Sequence, residues 1–111
     1  MFNFSWKKEI IPQVLMAYKW RFPERIEVSV NLSKDGGYIV NVNNFPGCIT
    51  QAETGQELFE MANDALYTYL EIPKEYQPYM PTFFPPEELR EKLNIKIPEK
   101  YLKEKMVLQR T

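Results

Sequence analysis

Two alternating runs separated by a glycine pair constrain this chain more than any other feature. Ile26, Val28, Val30 and Leu32 are apolar at every second position, and so are Tyr38, Val40 and Val42. A period of two places each set on one face of an extended chain. Lys34-Asp35-Gly36-Gly37 lies between the runs. Asp-Gly and Gly-Gly supply the positive φ that a tight hairpin turn needs. The spacing therefore predicts an antiparallel hairpin. Glu27, Ser29, Asn31, Asn41 and Asn43 fall on its other face, with Ile39 as an apolar exception. That second face is wet or covered by something polar.

The chain then reads Asn43-Asn44-Phe45-Pro46-Gly47-Cys48. Pro46 presets φ at the second position of a type II turn and Gly47 supplies positive φ at the third. A third short strand is expected from Cys48 to Ala52. Thr54 and Glu57 form a capping box that opens a helix. Leu58, Ala62, Ala65, Leu66 and Tyr69 make its buried stripe, with Phe59, Met61 and Leu70 widening it, and Pro73 ends it. Glu57, Glu60 and Asp64 form a separate acidic stripe. Asp35, Gly36, Gly37, Tyr38, Pro46, Gly47 and Cys48 are read as backbone-shaping residues. Phe45, Cys48, Leu58, Ala62 and Leu66 are assigned to the core. Cys48 has no neighbouring base or cation in the sequence that would make it a nucleophile. The fold expected is α+β, an antiparallel sheet of three or four strands packed by the Thr54–Glu71 helix.

Helical spacing also runs through Ile10, Ile11, Val14, Leu15 and Tyr18, with Pro12 in the first turn and Pro23 beyond the end. Phe2, Phe4 and Trp6 precede it, as a hydrophobic anchor onto the core or as a partner-binding or self-association arm. Residues 73–86 are rich in proline but carry Tyr76, Tyr79, Met80, Phe83 and Phe84, too much apolar bulk for a disordered linker. An ordered irregular segment is expected there. Pro86-Glu87-Glu88 opens a short helix to about Leu93. Ile95 to Pro98 is expected to be extended, and Met106-Val107-Leu108 to form a fourth strand at a sheet edge.

With 111 residues, the chain is read as one domain: an arm over 1–22, a β-β-β-α core over 25–71 and a tail over 73–111. The formal net charge of −1 gives no general attraction to nucleic acid or anionic lipid. No signal peptide or membrane span is read, so a cytoplasmic location is expected. One cysteine excludes an internal disulfide, and the absence of histidine removes Ser-His-Asp and Cys-His pairs, histidine bases and histidine-ligated metals. No catalytic residue, metal or cofactor is assigned. Unpaired edges of so small a sheet invite another chain, so a dimer or tetramer is expected.

The block Asp35-Gly36-Gly37-Tyr38, Phe45-Pro46-Gly47-Cys48, Thr50-Gln51, Thr54 with Glu57, and Ala62 to Leu70 resembles the HicB-like antitoxin family, in that order. Phe45 stands where the family usually has leucine, and Ala52 where it has glycine. The resemblance covers the middle third to half of the chain. It implies a truncated ribonuclease-H-like fold and a HicA-like toxin partner, a small messenger-RNA-cleaving protein whose active site the antitoxin occludes. Many members add a C-terminal helix-turn-helix or ribbon-helix-helix that binds promoter DNA. Here Pro98 and the short lengths between Leu89 and Lys105 argue against one, so DNA is not assigned as a partner. The glutamates and aspartate of the acidic stripe, Glu57, Glu60 and Asp64, are candidates to face the toxin.

Two further readings stand beside this one. An orphan oligomeric domain would use the aromatic stretches at both ends as its interface. A metal-dependent nuclease would need clustered carboxylates, for which Glu27 with Glu60 or Asp64 are the candidates.

Overall fold

The computed structural model describes residues 9–87, 90, 99–102 and 104–110. Among these residues five antiparallel strands form one sheet: β1 (Arg25–Leu32), β2 (Tyr38–Val42), β3 (Ile49–Ala52), β4 (Phe83–Phe84) and β5 (Met106–Arg110), in the order β3-β2-β1-β5-β4. Helix α1 (Pro12–Lys19) precedes the sheet and α2 (Gly55–Tyr69) follows β3. The expected α+β class holds, with more strands than the three or four expected. Residues 106–110 do not form an edge. They pair with β1 on one side, Ile26 opposite Leu108, and with β4 on the other, Phe84 opposite Gln109.

The expected hairpin forms, with Val30 opposite Val40 and Leu32 opposite Tyr38. Gly36 and Gly37 take φ of 90° and 76°. At Gly37 a Cβ would also sit 2.7 Å from the Ala52 carbonyl oxygen, so β3 closes on a position that only glycine fits. At the second turn the Cys48 amide donates to the Phe45 carbonyl at 3.1 Å, and Gly47 has φ of 84°, the geometry expected of a type II turn.

Ile26, Val28, Val30, Val40 and Val42 point from one sheet face into a core with Leu58, Ala62 and Leu66 of α2. Burying a side chain of this size stabilises the fold by about 1.5–3 kcal/mol relative to exposure. Leu32 departs from the alternation and is 66% exposed at the mouth of the hairpin, where α2 does not cover it. Tyr69 is also exposed, its ring lying 5.3 Å from that of Phe45, which is half-buried at the end of the core. The Thr54 hydroxyl accepts from the Glu57 amide at 3.1 Å, which is the Thr54 half of the expected capping box. The helix ends before Pro73. The Ile72 amide donates to the Tyr67 carbonyl and Glu71 to Thr68, a Schellman closure with Glu71 in the left-handed region at φ 55°.

Helix α1 carries no fully buried residue; Val14, Leu15 and Tyr18 pack half-buried, while Ile11, the residue before its first turn, is exposed. The Tyr76 hydroxyl accepts from the Ile11 amide at 3.1 Å, and Tyr18 meets the Tyr76 ring edge-on. Residues 73–86 are ordered, as expected, but include a 3₁₀ turn at Gln77–Tyr79 and the two residues of β4. Phe2, Phe4, Trp6 and the extended stretch expected at 95–98 lie outside the described residues, as does most of the helix expected at 86–93. No described helix is long and apolar enough to cross a membrane.

Candidate functional site: the two edges of the sheet

The two outer strands are treated differently. At β4 the side chain of Asn63, on α2 and 6% exposed, takes the place of a neighbouring strand. Its Oδ1 accepts from the Phe83 amide at 2.8 Å and its Nδ2 donates to the Phe83 carbonyl at 3.0 Å. A third bond runs from Nδ2 to the Phe59 carbonyl at 2.7 Å. The Tyr67 hydroxyl donates to the Pro81 carbonyl at 2.9 Å, fixing the approach to β4. The sequence reading missed Asn63. The available signal was its place beside Phe59, Ala62 and Leu66, next to the apolar stripe of the helix.

At β3 the outer edge has no strand partner among the described residues. The Val42 amide donates to the Cys48 carbonyl at 2.9 Å, and Val40 lies opposite Thr50 and Tyr38 opposite Ala52. Antiparallel pairing alternates bonded and non-bonded pairs. Cys48, Thr50 and Ala52 therefore turn their amides and carbonyls toward β2, and Ile49 and Gln51 turn theirs outward. The side chains of Ile49 and Gln51 are exposed as well, on the open sheet face.

Two shallow grooves of ≈ 340 and ≈ 390 Å³ run between this edge and the flank of α2, and Met61 lines both. Asp64 lines the first; Asp35, Glu53 and Glu57 line the second; neither has a lysine or arginine in its wall. The acidic stripe expected from the sequence is thus divided. Glu57 and Asp64 border the β3 side, whereas Glu60 lies with Asp64 in a separate depression toward Phe84.

The residues read as backbone-shaping lie in and around the two turns that flank β2. Gly36, Gly37, Pro46 and Gly47 form the two turns flanking β2. Tyr38 is half-buried, and Asp35 sits in the hairpin turn with its amide donating to the Ser33 hydroxyl. Cys48 is buried, and burial raises its thiol above the ordinary 9.0. That is the opposite of nucleophile activation. The carboxylates that a nuclease would need are not brought together. Glu27 projects from the open face of the sheet toward Lys105 at 3.5 Å, whereas Glu60 and Asp64 belong to the helix packed on the opposite face. No group of three or more metal-ligating side chains occurs among the described residues.

These features define a small α+β scaffold: among the described residues, a five-stranded antiparallel sheet with a main helix on one face, one edge closed by a helix side chain and the other without a strand partner. No protein-family profile matches the sequence, and no solved structure matches it. The chain is 36% identical over 53 residues to a UPF0150 protein of Archaeoglobus fulgidus, covering 48% of this chain and 77% of that protein. It is 35% identical over 54 residues to a UPF0150 protein of Thermoplasma acidophilum, covering 49% of this chain and 78% of the relative. The chain belongs to the UPF0150 family.

Proposed function

We propose that this chain is a HicB-like antitoxin, which binds a small HicA-like, messenger-RNA-cleaving toxin and neutralises it without catalysis of its own. One observation carries the reading. The residues that resemble the antitoxin family serve backbone geometry and packing. Gly37 lies against the Ala52 carbonyl, Pro46-Gly47 makes the turn into β3, and Cys48 is buried with a raised pKa. A motif spent on shaping a sheet fits a protein whose product is a surface. The open sheet face and the β3 edge, which has no strand partner among the described residues, are such surfaces.

Co-expression of the tagged chain with the product of the adjacent open reading frame tests the proposal. The two are expected to co-purify in a fixed ratio, and RNA cleavage by the second protein is expected to be silenced in the complex. Two folded proteins that elute separately would overturn it.

A further inference from the structure

We propose that the partner docks by adding a strand to the free edge of β3, and that this strand is basic. The inference rests on the antitoxin reading for the partner's existence, and adds where and how the partner sits.

Three observations converge on this edge. The Ile49 and Gln51 amides and carbonyls point outward, a ladder of two donors and two acceptors at the spacing a strand uses. At the opposite edge the corresponding groups of Phe83 are already taken by Asn63, so the sheet offers strand addition at one end only among the described residues. Finally, the grooves beside β3 give an incoming strand's side chains a place to lie.

Charge selects the occupant. Asp35, Glu53, Glu57 and Asp64 border the grooves with no base among the lining residues, although the whole chain carries 14 basic residues against 15 acidic. A strand bearing lysine or arginine at alternate positions meets acids along this border. A second copy of this chain does not. Self-pairing would bring the acidic border of one copy against that of the other, and like charges brought together are unfavourable. Main-chain bonds supply the affinity in this mode and side-chain complementarity the specificity.

The test is amide hydrogen exchange on the isotope-labelled full chain, alone and with the adjacent gene's product. Outward amides of an edge strand exchange readily in the free chain. With partner held at about 100 times its Kd, exchange at Ile49 and Gln51 is expected to slow by about 100-fold. A Gln51→Pro variant removes an outward donor while leaving the β2 ladder intact, and is expected to weaken the complex at least tenfold. Glu104→Lys, a charge change away from the edge, leaves affinity unchanged. A complex that forms with unaltered exchange at both amides overturns the edge assignment and leaves the antitoxin reading standing. The same protection in the chain alone at high concentration means a second copy is the occupant, and also overturns it. If no complex forms at all, the functional reading falls and this inference with it.

Discussion

Replacing Asn63 by alanine removes the buried polar side chain that bonds the outer backbone of β4. The amide makes three hydrogen bonds at 2.7–3.0 Å, two of them to the backbone of Phe83, a residue with no exposed surface. Removal leaves the Phe83 amide and carbonyl without their Asn63 partners, beside a depression that Asn63 lines with Glu60 and Phe84. An orphaned buried group costs about 1–3 kcal/mol, so two cost about 2–6 kcal/mol before relaxation. Partial solvation of an edge strand lowers this, and about 2–4 kcal/mol is expected. That is a large share of the roughly 5–15 kcal/mol that holds a small domain together. Urea denaturation followed by far-UV circular dichroism reads the change as a shift in midpoint at constant slope. Asn63→Asp keeps the acceptor for the Phe83 amide but sets a carboxylate against the Phe83 carbonyl. It is expected to be less stable at pH 7 than at pH 4, where the carboxyl is protonated and can donate. A loss below about 0.5 kcal/mol for Asn63→Ala would refute the view that this side chain closes the edge.

Other expectations follow from the backbone and the core. Gly37→Ala places a Cβ 2.7 Å from the Ala52 carbonyl oxygen at φ 76° and should cost more than Gly36→Ala, where φ is 90° and nothing lies within 4 Å; thermal melts of the two variants compare them. Glu71→Gly relieves a left-handed residue at the helix end and is expected to raise stability by about 0.5–1 kcal/mol, read from urea midpoints. Cys48 is expected to resist iodoacetamide in the native chain and to react on denaturation. Its thiol has a raised pKa in the fold, so the unfolded chain ionises first. Stability should therefore fall as pH rises past the ordinary 9.0, until the folded thiol ionises as well, and Cys48→Ala should remove that part of the pH slope.

The hairpin, the Pro46-Gly47 turn and the capped helix were legible because each is written in adjacent residues. Gly36-Gly37, Pro46-Gly47 and Thr54-Glu57 carry their geometry locally. What escaped depends on distant partners. Phe83 and Phe84 became a strand only because Arg110 and Gln109 lie opposite, a pairing that no local pattern in a proline-rich stretch announces. The same contact makes the strand expected at the edge, Met106-Val107-Leu108, part of an interior strand over Met106–Arg110. Asn63 reads in sequence as one more polar helix residue, and its role appears only once β4 is placed beside it. The acidic stripe was visible as spacing, but its division between two sides of α2 required the position of β3.

The central claim is that this scaffold works by stoichiometric occupation of another protein. It is tested most directly by titrating the purified chain into an RNA-cleavage assay of the adjacent gene's product. Cleavage is expected to fall linearly and vanish at a fixed molar ratio, with Gln51→Pro shifting or abolishing the end point. Cleavage that persists undiminished at excess chain would contradict the claim.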